Sequence, residues 1–244
     1  MFFGCTNFER NNPDDEKAIN YNPNAYVTYS SSSRNSSSSV VSQSGVIYGN
    51  PVTYEGETYP TVVIGTQTWF AKNLNYDPPG TGNSACNSAC YDCTAYGRLY
   101  DWSTAMALPS SCNSSYCSSQ IQTKHRGICP SGWHIPNDDD WNVLMDNIGG
   151  SSTAGKHLKS KSGWNPYNGI ENLDTYGFLA LPGGRGNSDG SFDYVGGYGN
   201  WWSAREYENG GNVAYSRDMG YNYDRAYWNS GYKNYLFSVR CVQD

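Results

Sequence analysis

Three of the eight cysteines, Cys86, Cys90 and Cys93, lie close together in the chain. Thiols so placed can ligate a soft metal ion as thiolates, or pair when oxidised. Zinc needs a fourth ligand, and this spacing is not a clean pair of C-x-x-C motifs. The others are Cys5, Cys112, Cys117, Cys129 and Cys241, beside only three histidines. That balance favours disulfides and an oxidising compartment. The loops Cys86–Cys93 and Cys112–Cys117 run through Ser-, Asn- and Gly-rich sequence that buries little, where a local staple is useful. Zinc at Cys86, Cys90 and Cys93 stays as the alternative.

The other chemistry-bearing residues are scattered. His125, His134 and His157 are far apart without evident partners; His134, in "GWHIP", is expected to pack or cap near a helix start. Asp138–Asp140 could attract a cation. They sit where a helix would begin, however, and that end of a helix repels cations and favours carboxylates. "GGRGNSDG" (Gly183–Gly190) does not follow the G-x-x-x-x-G-K-[ST] phosphate loop and reads as a β-turn.

Composition points to contact rather than catalysis. Aromatics reach 15 %, with 22 Tyr and 8 Trp, while charged residues are only 16 %, well under the usual quarter. The net charge of −6 gives no electrostatic footprint for nucleic acid. From Tyr207 to Tyr235 the chain reads "YENGGNVAYSRDMGYNYDRAYWNSGYKNY", with seven Tyr and five Asn. Tyr gives rigid contact area at low entropic cost, and Asn, Ser and Gly give adaptable hydrogen bonds, as in antibody paratopes. Sugars suit the same surface, stacking on rings and bonding to amides. The candidate ligand-binding residues are Tyr207, Tyr215, Arg217, Tyr221, Tyr223, Tyr227, Trp228 and Tyr232, expected partly exposed and converging on one side. Trp201, Trp202, Phe237 and Val239 are expected to be buried scaffold. The plain alternative is a set of half-buried, Tyr-rich surface strands.

The elements that must position these residues are short. "YPTVVIGTQTWFAKNLNY" (Tyr59–Tyr76) reads as strand, turn and aromatic strand. "GRLYDWSTAMAL" (Gly97–Leu108) places Leu99, Trp102 and Ala105 or Met106 at helical spacing. "PNDDDWNVLMDNIGG" (Pro136–Gly150) is the strongest helix, with Asn137 as N-cap, Trp141, Leu144, Met145 and Ile148 as its buried stripe, and Gly149 as its stop. "STAGKHLKS" (Ser152–Ser160) is a shorter one. "YGFLALPGG", "GSFDYVGG", "GNWWSAREY", "NVAYSRDM", "DRAYW" and "YLFSVRCV" read as short strands. In the last, Phe237, Val239 and Cys241 alternate with Ser238 and Arg240, a half-buried pattern. Strands, then helices, then many strands give an α+β class.

The N-terminal part differs. "MFFGC" resembles the end of a bacterial lipoprotein signal, with Cys5 the lipidated residue, although the basic and long apolar regions of such a signal are missing. No run of roughly 18 apolar residues is available to span a membrane. Residues 1–29 are expected to be anchor and tether, 30–45 ("SSSSRNSSSSVVSQSG") a Ser-rich flexible linker, and 46–244 the folded domain.

"VVIGTQTWFAKNLNY", "YGRLYDWSTAM", "GICPSGWHIPNDDDW", "YGFLALPGG", "GNWWSA" and "FSVRCVQD", in that order, resemble the Fibrobacter succinogenes major paralogous domain family. The resemblance covers most of residues 46–244. It implies a C-type lectin-like fold, grouped beside formylglycine-generating-enzyme-like domains, with a twisted antiparallel sheet and neighbouring chain ends. It also implies a disulfide from a helix-proximal cysteine to the last strand, here Cys129 to Cys241. Structural calcium is open in such folds, but the E-P-N and Q-P-D sugar-coordinating motifs are absent. A formylglycine-generating-enzyme-like oxidase would need a reactive cysteine pair near the C-terminal core, where only Cys241 lies.

The expected function is therefore non-catalytic recognition of a glycan or protein ligand. The setting is a monomeric bacterial cell-surface or secreted protein, an outer-membrane lipoprotein that meets the membrane only through its lipid, with no cofactor. Some lectin-like proteins are diversified near the C-terminus by retroelements that scatter Asn codons to Tyr, Ser, Asp, Gly, Arg and His, most of which are abundant here. A self-assembling coat or fibre subunit is the alternative.

Overall fold

The computed structural model describes residues 40–41, 45–79, 84–86, 91–208 and 210–244. Cys5, Cys90, the expected tether and most of the expected linker lie outside the described residues. Fifteen strands and four α-helices are present among the described residues. A six-stranded antiparallel sheet contains, in spatial order, β1 (Val40–Val41), β2 (Ile47–Tyr48), β5 (Thr61–Ile64), β6 (Gln67–Phe70), β15 (Val242–Gln243) and β9 (Trp133–His134). Val40–Val41, within the stretch expected as linker, pairs there with Ile47–Tyr48. The last strand lies between β6 and β9, Val242 facing both Trp69 and His134, so the domain's first and last strands share one sheet. Two antiparallel pairs, β3 (Val52–Tyr54) with β4 (Glu57–Tyr59) and β7 (Ser84–Ala85) with β8 (Leu99–Tyr100), are inserted between its strands in sequence.

The helices are α1 (Cys93–Tyr96), α2 (Trp102–Ala105), α3 (Asp138–Asn147) and α4 (Ser151–Leu158). α3 forms where the sequence places it. Asn137 accepts from Asp140 N at 3.0 Å and Asp140 Oδ2 accepts from Asn137 N at 2.9 Å, a reciprocal capping box. Trp141, Leu144, Met145 and Ile148 are buried, and Gly149, at φ +91°, ends the helix. His134 braces the cap, with Nε2 3.1 Å from Asp140 and Nδ1 2.7 Å from the C-terminal Asp244.

The Gly97–Leu108 helix is shorter than its spacing suggests. Leu99–Tyr100 is strand, because Tyr100 exchanges backbone hydrogen bonds with Phe237 at 2.8 and 2.9 Å. Asp101 then caps α2 by accepting from Thr104 N at 2.8 Å. Leu99, Trp102, Ala105 and Met106 are nonetheless all buried.

Two apolar clusters form the interior. One packs Trp69, Trp141, Leu144, Phe178, Trp201 and Met219 between α3, α4 and the sheets. The other packs Phe70, Tyr100, Trp102, Trp202 and Phe237 around the Cys112–Cys117 and Cys129–Cys241 disulfides. Cys86 pairs with Cys93, which removes two of the three thiols that the zinc alternative needed. The "LFSVRCV" tail is not half-buried as its alternation suggests. Ser238 and Arg240 are as buried as Phe237 and Val239, because the tail is bridged at Phe237 to Tyr100 and at Ser238 to Trp201. Arg240 is satisfied by Asn73 Oδ1 and the carbonyls of Phe70, Phe178 and Leu179, and burial lowers its pKa to about 9.

Candidate functional site

The Tyr/Asn-rich segment builds most of a separate three-stranded antiparallel sheet: β12 (Tyr198–Glu206), β13 (Val213–Gly220) and β14 (Ala226–Tyr232). Cross-strand partners share a face, and neighbours along a strand do not. Register therefore sorts the segment. Val213↔Tyr232, Tyr215↔Ser230 and Arg217↔Trp228 lie on one face; Ser216↔Asn229 and Asp218↔Tyr227 lie on the other.

The first face points toward α3. Tyr207, Tyr215 and Trp228 form an edge-to-face ladder with centroids 5.4 and 5.7 Å apart. Arg217 is not on the expected exposed surface. It is 1 % exposed, 3.9 Å beneath the Trp228 ring and 5.9 Å from Trp141, and burial lowers its pKa to about 10. Trp228 is 39 % and Tyr232 52 % exposed. On the second face Tyr223 contacts Tyr227 at 5.1 Å and Tyr198 at 6.4 Å, and Tyr221 contacts Tyr198 at 6.3 Å. The eight expected ligand residues thus divide between two faces instead of converging, the direct result of the two-residue period of a strand. Trp201, Trp202, Phe237 and Val239 are buried, as expected.

A cavity of about 270 Å³ opens on the second face. Its floor comes from the sheet: Asn200, Ser216, Asp218 and Asn229. Its walls are Tyr198, Tyr194 and Tyr235, with Arg185 at the side. Asp218 is 5 % exposed. Its Oδ2 accepts the Tyr223 hydroxyl at 2.5 Å, while its Oδ1 has no hydrogen-bond partner. Burial pushes the Asp218 carboxyl above the usual carboxylate range, against the pull of Tyr223, Asn229 and Arg217. The Tyr223 hydroxyl is raised as well, by burial and then by the carboxylate it faces. Arg185 lies between two rings, 5.1 Å from Tyr194 and 4.6 Å from Tyr235, and its Nε is buried and unpartnered. Tyr235 also lines an adjoining polar hollow with Asn113, Asn212, Asn234 and Tyr232.

Two glycines let these rings close in. A Cβ on Gly220 would fall 2.5 Å from the Tyr223 ring, and one on Gly231 would fall 2.8 Å from Phe237. Two buried lysines fix the ends of β14. Lys159 Nζ donates to the carbonyls of Gly220 and Tyr223 at 2.9 and 2.7 Å, holding the turn that carries Tyr221 and Tyr223. Lys233 Nζ donates to the carbonyls of Cys112, Ser115 and Gly211 and pairs with Glu206.

The Fibrobacter succinogenes major domain family model matches residues 62–243. The chain belongs to that family. No curated protein and no solved structure matches it. Six cavity residues of this Fibrobacter succinogenes major domain, Asp218 and Asn229 among them, lie inside the segment that the sequence singled out but were not chosen, and none of the eight chosen residues lines the cavity. Arg185 lies in the "GGRGNSDG" turn, which carried no functional weight; the turn itself is a hairpin joining β10 (Arg185–Gly186) to β11 (Phe192–Asp193). The one available signal for Asp218 was its place in "VAYSRDMG", in phase with Ala214 and Ser216. Among the described residues no group of three His, Cys, Asp or Glu side chains is placed to hold a metal ion. Asp138 instead accepts from Ser203 and Arg205, both at 2.7 Å. Cys241 is bonded to Cys129, the pairing that the oxidase alternative would have to break.

Proposed function

We propose that this chain is a non-catalytic recognition domain that binds a glycan or protein ligand through the β12–β14 sheet. The observation that carries the reading is the cavity beside Asp218. Tyrosine rings, amides and hydroxyls surround it, and the carboxylate oxygen at its floor is buried without a partner. A buried acceptor left open costs stability unless something fills it. In this reading the fold is C-type lectin-like, and residues 46–244 are the binding domain. The lipid on Cys5 holds it at a bacterial outer membrane. The Tyr, Asn, Ser, Asp and Arg residues around the cavity are the types that retroelement scatter of Asn codons produces. Sequencing the locus from many isolates would show substitutions clustered at these positions, and uniform sequences would remove that part of the proposal.

An array of glycans and surface proteins probed with the full chain tests the reading. Expected is capture of a defined ligand that Tyr235→Ala weakens at least tenfold; no specific capture defeats it. A second reading, a self-assembling coat or fibre subunit, is supported by β14. Its Tyr227, Trp228 and Tyr232 are exposed, and among the described residues it pairs only with β13. Light scattering at rising concentration separates the two: a chain that stays monomeric cannot be assembling through this edge.

A further inference from the structure

We infer that the cavity beside Asp218 takes a single neutral sugar ring, with Asp218 Oδ1 accepting from one hydroxyl and Arg185 Nε donating to another. The inference rests on the recognition reading above and names the ligand class at that site. Size comes first. A cavity of about 270 Å³ holds about nine waters' worth of liquid and falls just below the roughly 300–1,000 Å³ range of small-molecule sites. That suits one ring better than a peptide segment.

Charge comes second. One carboxylate and one guanidinium line the cavity. Asp193 lies 3.5 Å from Arg185 Nη2. Arg217, next in sequence to Asp218, lies on the opposite face of the sheet under Trp228. An anionic ligand would meet Asp218, and a cationic one would meet Arg185. A hydroxyl both donates and accepts, so adjacent hydroxyls on a neutral ring satisfy the two open atoms together, with no net charge buried.

The remaining contacts follow from hydrogen-bond use already fixed. Asn200 Nδ2 donates to Gly184 O at 3.0 Å, leaving its Oδ1 as an acceptor. Asn229 Oδ1 accepts from Ser230 N at 2.8 Å, and its side chain also steadies the Asp218 carboxyl. The Tyr198 and Tyr235 rings in the wall give the apolar face of the sugar a surface to stack on.

The test is titration of the full chain with methyl glycosides of the common neutral hexoses, 6-deoxyhexoses, pentoses and N-acetylhexosamines, followed by saturation-transfer NMR and calorimetry. Glucuronate and glucosamine serve as charged counterparts. At least one neutral glycoside should bind, and the charged sugars should bind at least tenfold more weakly. Asp218→Asn should weaken binding tenfold or more: Tyr223 keeps the amide oxygen, and the amide NH₂ then presents a donor where an acceptor is needed. Arg185→Met, which keeps the packing between the two rings, should weaken it comparably, and it decides the matter if Asp218→Asn does not fold. Val143→Ala, exposed on α3 and away from the cavity, should leave binding unchanged. Binding of glucosamine or glucuronate alone, binding indifferent to both cavity variants, or no binding by any neutral glycoside overturns the inference. If the array still captures a ligand in those cases, recognition stands and only the sugar assignment falls; an empty array defeats the recognition reading itself.

Discussion

Lys233→Met tests the foundation on which the binding sheet stands. The ammonium of Lys233 is completely buried, over the Trp102 ring at 4.5 Å. It donates to the carbonyls of Cys112, Ser115 and Gly211 and pairs with Glu206. Glu206 in turn accepts from Cys117 N at 2.9 and 3.1 Å. Methionine fills similar volume but leaves a buried carboxylate uncompensated and three carbonyls without their donor. Breaking a buried pair on one side costs about 3–5 kcal/mol, and the orphaned carbonyls push the expectation to the upper part of that range. With a urea slope of about 2 kcal/mol per molar, the midpoint should fall by about 2 M. The assay is urea unfolding of the full chain, followed by tryptophan fluorescence with disulfides intact. The double variant Lys233→Met/Glu206→Gln should recover part of the loss, because glutamine keeps an acceptor for Cys117 N without a charge. A midpoint shift under about 0.5 M, or a double variant no better than the single, would refute the reasoning.

Other expectations rest on separate parts of the molecule. Phe237 is buried with its ring 4.2 Å from Trp202, so Phe237→Ala should cost about 3–5 kcal/mol in the same assay. Tyr223→Ala should cost about 1–3 kcal/mol, more than a free surface ring would, because it strands the Asp218 carboxylate and uncovers Gly220. Burial raises Asp174 to about 6, against the Leu179 N–H it accepts and nearby Arg240. Between roughly pH 4 and 6 the folded chain keeps a proton there that the unfolded chain has released, so stability should fall as pH rises through this window, by at most about 3 kcal/mol. Thermal melts of Asp174→Asn should lack that slope. Cys129–Cys241 closes a separation of 112 residues and Cys112–Cys117 one of only 5. On the chain-entropy account, removing the first by paired alanines should cost about 5 kcal/mol and the second about 2, read from equilibrium unfolding; equal costs would contradict it.

What the sequence made legible was local. α3 could be read because its cap, acidic first turn, apolar stripe and terminal glycines all lie within fifteen residues and agree. The buried Trp201, Trp202 and Phe237 could be read from short apolar runs. The Gly97–Leu108 stretch misled because Tyr100 pairs with Phe237, 137 positions away, and no spacing rule sees such a partner. "LFSVRCV" misled for the same reason. Its alternation is real, but a second layer covers the face that carries Ser238 and Arg240, and Asn73 and backbone carbonyls satisfy the guanidinium there.

The cavity was hidden by a different cause. Composition marked the right segment but could not say that a strand divides it, sending Arg217 beneath Trp228 and Asp218 to the opposite face. Its other residues come from the 185–200 region and from Phe237, brought together only by the fold. Hydrogen-bond accounting locates it where composition does not. Asn73, Lys233 and Arg240 show that this interior can satisfy buried polar groups fully. Arg217 is left with two open nitrogens but is covered by an indole. Asp218 Oδ1 and Arg185 Nε are two of eleven such open atoms among the described residues, and both belong to residues that line the same cavity. One unpaired buried acceptor costs about 1–3 kcal/mol. An acceptor and a donor left open around one space are complementary to a single ligand that supplies both, and that pairing, more than the count of tyrosines, gives the site its chemistry.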